Sequence, residues 1–124
     1  MLRIGTVGIL LIAFPARADE DENRAKLLYG AGTVHYERGA YQKALEEFEE
    51  AYELAARPAL LYNIAQCHDR LDHLDKTIEY VRRYLAEAPD AGDRGTVEAW
   101  LRSLERTRED RARREAEDRR VAAA

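Results

Sequence analysis

The chain is poor in the devices that usually pin a small domain together. Cys67 is its one cysteine, so no internal disulfide can form and packing alone must hold the fold. Only three prolines interrupt 124 residues, and the abundant Ala, Leu, Glu and Arg lose little side-chain freedom in a helix. Helix is therefore the expected local state throughout. Formal charge is −4 with no clustered basic face, which argues against nucleic acid as a partner. No nucleophile elbow, phosphate-cradling glycine loop or zinc-protease helix motif is present, so the sequence points to no enzymatic activity and no cofactor. Long apolar runs are also missing. Ile4 to Phe14 is an eleven-residue stretch without a charge, well short of the roughly 20 apolar residues needed to span a bilayer.

That stretch is instead placed like the apolar core of a cleavable export signal. Arg3 precedes it, Ala16-Arg17-Ala18 follows with small residues at the two positions read by a signal peptidase, and the acidic run Asp19-Glu20-Asp21-Glu22 comes next. The expected division is a signal peptide over 1–18 and an acidic linker over 19–23, with export to the periplasm or beyond. Processing would remove Arg3 and Arg17 and no acid, moving the formal charge from −4 to −6. The mature chain would carry no membrane span.

Sliding the sequence against itself reveals a period of 33 residues. Leu27-Leu28-Tyr29 falls on Leu60-Leu61-Tyr62, His35 on His68, Lys43 on Lys76, Glu46 on Glu79 and Ala55 on Ala88. Apolar character carries over at Ala31 and Ile64, Tyr41 and Leu74, Leu45 and Ile78, and Phe48 and Val81. A repeat of this length is the signature of stacked helix pairs. Apolar residues recurring at three and four place helices over 24–37, 41–55, 58–71 and 74–87. Gly39 breaks the first pair, Pro58 opens the third helix, where it needs no amide partner, and Pro89 ends the fourth. Gly32 costs helix stability, and close contact with a neighbouring helix is the expected reason for it. Cys67 falls on an apolar stripe and is expected to be buried.

These positions resemble the tetratricopeptide repeat (TPR). Gly32 and Ala65 match the family's small residue in the first helix, and Gly39 its turn. Tyr41, Ala44, Phe48 and Ala51 match its second helix, and Pro89 its closing proline. Repeat one would cover 25–57 and repeat two 58–91. In the second unit Asp72 replaces the turn glycine, Thr77 an alanine and Tyr84 another alanine; Tyr84 implies a junction with the following helix that is looser or differently filled. Together with the export signal, the segments Pro58 to His68 and Arg82 to Ala91 look like short exported TPR proteins of myxobacteria and their relatives. The resemblance implies an all-α, TPR-like α-solenoid of two helix hairpins plus a long C-terminal capping helix.

That last helix is expected to start after Asp93 as N-cap. Val97, Trp100, Leu101 and Leu104 supply the apolar stripe of a lid over 93–104, and burying Trp100 should stabilise the end by about 2–3 kcal/mol. Beyond Leu104 the stripe stops. Residues 105–124 read as a charged helical extension with Glu109–Arg113, Asp110–Arg114 and Glu115–Arg119 spaced for ion pairs.

In the TPR pattern the first helix of each pair lines a concave groove. The resemblance therefore implies a protein- or peptide-binding set of Lys26, Tyr29, Thr33, Tyr36, Tyr62, Asn63, Gln66, Asp69 and Arg70, with Glu37 and Ala59 beside them. Tyrosines offer rigid contact area with a polar tip, and Asn63, Gln66 and Arg70 can bond a peptide backbone or carboxylate. The function implied is a non-catalytic protein–protein interaction adaptor of the bacterial cell envelope. Two alternatives have their own physical basis. A two-repeat stack is small enough to gain from self-association, making a structural or homo-oligomerising element. The i, i+4 pairs His68–Asp72 and Asp69–His73 could instead bind zinc in a metal-binding module.

Overall fold

A computed structural model describes residues 16–124, so the apolar core of the expected signal peptide lies outside the described residues. The described residues form five helices and no strand: α1 Ala16–Glu37, α2 Tyr41–Leu54, α3 Pro58–Arg70, α4 Leu74–Glu87 and α5 Arg94–Ala123. Each helix packs on the next in the chain.

Residues 19–23, expected as a linker, lie within the first two turns of α1. Acidic side chains near a helix start are favoured by its dipole. Neighbouring ion pairs tie the segment down: Glu22 meets Arg57 at 2.7 Å and Arg24 meets Glu50 at 2.6 Å.

The 33-residue period is written into the backbone. Helices α2 and α4 start and end one period apart, and α1 and α3 end one period apart. The turns match bond for bond. The amide of Ala40 donates to the His35 carbonyl at 2.8 Å and that of His73 to His68 at 2.9 Å, while Gly39 donates to Tyr36 and Asp72 to Asp69. This pairing closes a helix through one residue in the left-handed region. Gly39 takes that role with φ 79° and Asp72 with φ 57°. Aspartate is one of the few side-chain-bearing residues that tolerates it, which is why the second unit keeps the turn without the glycine.

Side chains repeat with compensating changes. A Cβ at Gly32 would stand 2.7 Å from Phe48 Cε1, so the glycine is there for contact. One period on, Ala65 brings that Cβ and Val81 is smaller than Phe48; both are fully buried. His35 Nδ1 meets Glu47 Oε2 at 2.7 Å, whereas His68 stacks on Tyr80, the residue one period after Glu47, with centroids 5.4 Å apart. Tyr29 packs on Phe48 and Tyr62 on Tyr84.

Two cores result. Leu45, Phe48, Leu60, Ile64 and Cys67 fill the first, between the hairpins; Leu61, Ile78, Val81, Tyr84, Val97 and Leu104 fill the second, beneath α5. Burial in the first pushes the Cys67 thiol up to about 12. In the second, Tyr84 fills the junction with α5. Its ring is buried and its hydroxyl donates to Asp93 Oδ1 at 2.8 Å. Asp93 stands at the N-cap position but makes no side-chain capping bond; its carboxylate is engaged by Tyr84 instead.

Helix α5 is continuous to Ala123. The ion pairs expected at i, i+4 along its charged half are not the ones formed. Arg113 meets Asp110 and Arg120 meets Glu117, both at i, i+3, and Arg111 reaches back to Asp72 at 3.0 Å. That last pair ties the extension to the α3–α4 turn.

Candidate peptide-binding surface

The C-terminal half of α1 and successive turns of α3 bring five of the expected site residues together. Tyr36, Tyr62, Gln66, Asp69 and Arg70, joined by Trp100 of α5, line an open hollow of about 450 Å³. The spacing explains the convergence. Tyr62, Gln66, Asp69 and, on its flank, Arg70 recur at four, three and one along α3 and so share one side.

Arg70 organises one wall. Its Nε donates to the Tyr36 hydroxyl at 3.2 Å, and its guanidinium carbon lies 6.0 Å from the Tyr36 ring and 5.8 Å from the Tyr41 ring. The two rings meet edge to face at 5.1 Å. The bond to Tyr36 raises the Arg70 pKa further above its already high value, so the group is a fixed cation held between two aromatics. Across the hollow Tyr62 is clasped by Tyr84 at 5.5 Å and by Trp100 at 5.7 Å, the latter edge to face. Between the walls stand the Gln66 amide and the exposed Asp69 carboxylate. One cation, one anion, an amide and aromatic faces can hydrogen-bond an extended backbone and hold its side chains, without selecting strongly for net charge.

The remaining site residues lie elsewhere. Lys26 and Tyr29, with Ala59, line a separate depression of about 140 Å³ beside Glu22, Ala25, Arg57 and Leu60. The Thr33 hydroxyl donates to the Tyr29 carbonyl at 2.9 Å, so its donor is spent within its own helix. Asn63 is half-buried and lines neither hollow, and Glu37 is exposed outside both. The expected groove is thus two hollows, one toward each end of α1 and α3. Trp100, expected in the lid, also lines the first hollow, because the packing of α5, which no local pattern specifies, sets it beside Tyr62.

A larger hollow of about 750 Å³ was not foreseen. It lies between the α3–α4 turn and the charged half of α5, lined by His68, His73, Lys76, Arg108, Arg111 and Glu115 among others. The expected metal-binding pairs are rearranged here. His68 Nδ1 faces His73 Nδ1 at 3.1 Å, and Asp72 turns to Arg111. Among the described residues no group of three His, Cys, Asp or Glu side chains is placed to hold a metal. His68 Nε2 is buried with no hydrogen-bond partner among them. Burial first, then His73, lowers the His68 pKa, which favours the neutral ring.

No protein-family model and no curated protein matches the chain.

Proposed function

We propose that the chain is a non-catalytic adaptor of the TPR type, exported to the bacterial cell envelope, that binds an extended protein or peptide segment across α1 and α3. On this reading α1–α2 and α3–α4 are the two repeats of an α-solenoid and α5 is its capping helix. Cleavage after Ala18 would leave Asp19 heading α1, where its charge suits the helix dipole. Among the described residues no helix is long and apolar enough to cross a membrane, which is compatible with that placement.

The observation that carries the binding role is the convergence of Tyr36, Tyr62, Gln66, Asp69, Arg70 and Trp100 on one open hollow. Aromatic and arginine side chains of this kind are enriched where proteins meet partners. Trp100 is the only tryptophan, so its fluorescence reports the hollow directly. In an affinity pull-down from native envelope extract, Tyr36→Ala/Gln66→Ala/Arg70→Ala should lose the partner that the wild type retains. A synthetic peptide from that partner should shift Trp100 emission in the wild type alone. Equal capture by the two proteins, with equal thermal stability, would remove the hollow from consideration.

A further inference from the structure

Beyond that reading, we infer that α1 carries a self-association face through which two copies of this chain pair antiparallel. The internal repeat supplies the reason. On α3 the stripe Leu60, Ile64 and Cys67 is buried to 5 %, 1 % and 0 % exposure, packed in one core with Ala44, Leu45, Phe48 and Ala51 of the preceding helix α2. One period earlier the same stripe on α1 is Leu27, Ala31 and Val34. Here Leu27 is 76 % and Val34 43 % exposed. A position set that the fold covers with a helix in one unit therefore stands bare in the other. Large exposed apolar side chains aligned along one helix face mark an interaction surface.

The features of α1 favour a second α1 as the occupant. Leu27 and Val34 flank Gly30 and the half-buried Ala31, and a Cβ at Gly30 would meet nothing within 4 Å. An antiparallel pair with Leu27 opposite Val34 of the second copy sets these small residues against each other and lets the backbones approach. Charge selects the direction. Asp19 and Glu20 are exposed at the start of α1, and Arg38 is exposed on the same stripe just past its end. Antiparallel pairing brings the acidic start of each copy toward Arg38 of the other, whereas parallel pairing would set acid on acid and Arg38 on Arg38. Such an interface is isologous, the arrangement of most soluble homodimers.

A single helix face is small beside the roughly 1,200 Å² of standard interfaces, so the dimer should be weak, with Kd of about 1 μM or higher. Sedimentation of the purified chain, from about 1 μM to several hundred μM, should therefore show a monomer–dimer equilibrium. Leu27→Lys should weaken it at least tenfold with unchanged helix content, because Leu27 is already exposed in the monomer. Under mild oxidation Leu27→Cys/Val34→Cys should cross-link between copies and Leu27→Cys alone should not, since Cys67 is buried. A wild type that stays monomeric throughout overturns the inference. So does association that survives Leu27→Lys, which another surface must carry, and so does cross-linking by Leu27→Cys alone, which requires a parallel pair.

Discussion

Gly32 and Phe48 form the contact on which the first hairpin can be tested most sharply. A Cβ at position 32 would lie 2.7, 2.9 and 3.0 Å from three atoms of the Phe48 ring, and that ring is 3 % exposed with little room to retreat. Gly32→Ala therefore sets two effects against each other. Overpacking a filled core costs about 1–3 kcal/mol, while replacing glycine within a helix returns about 1 kcal/mol. The net expectation with Phe48 present is a loss of about 0–2 kcal/mol. In a Phe48→Val background, itself about 2–3 kcal/mol less stable, the obstruction is gone and Gly32→Ala should stabilise by about 1 kcal/mol. The double variant reproduces the Ala65/Val81 combination already packed in the second hairpin. Urea denaturation of the four proteins, followed by far-ultraviolet circular dichroism, gives the coupling directly. It should come to about 1–3 kcal/mol, and each kcal/mol corresponds to about 4–8 °C in Tm for a domain of this size. A coupling within about 0.3 kcal/mol of zero refutes the size-compensation argument.

Two further outcomes follow from the second hairpin. The His68 pKa is lowered from its ordinary 6.5 by burial and by His73, so below that pH the unfolded chain takes up a proton that the folded one resists. His68 thus contributes stability that is full above about pH 6.5 and is lost as pH falls below it. His68→Phe keeps a ring to stack on Tyr80 and should flatten the acid limb of Tm against pH; an unchanged limb would contradict this. At the turns Gly39→Ala should cost about 1–2 kcal/mol for forcing a side chain into the left-handed region. Asp72→Gly should be neutral or stabilising by up to about 1 kcal/mol, because relief of φ 57° outweighs an exposed pair with Arg111 worth about 0–1 kcal/mol. Denaturant midpoints check both, and a loss at Asp72→Gly as large as that at Gly39→Ala would refute the turn equivalence.

What could be read from the residues was whatever depends on neighbours along the chain. The spacing of Leu61, Ile64, Ala65 and His68 marks a helix face, Pro58 its start, and the shared period locates matching turns even where Asp72 stands for glycine. Contact at Gly32 and burial of Cys67 were legible because each falls on an apolar stripe that had to meet something. The start of α1 was missed because four consecutive acids look like a solvated linker, and the pairs Glu22–Arg57 and Arg24–Glu50 that tie it to the fold join residues far apart in the chain. The ion pairs of α5 were misassigned because several acids lie within reach of each arginine, and Arg111 chose Asp72, 39 residues away. Trp100 beside Tyr62 and His68 against His73 depend on how helices cross, and helix periodicity carries no such information.

Helix α5 makes the two ends of the molecule unequal. It lays Val97 and Leu104 over α4 at 2 % and 7 % exposure, so the apolar face of α4 is covered where the stripe of α1 is left exposed. A building block with a single sticky end cannot be threaded into a filament, because growth needs a donor and an acceptor on opposite sides. An antiparallel pair through α1 would use that face on both copies and so stop at two.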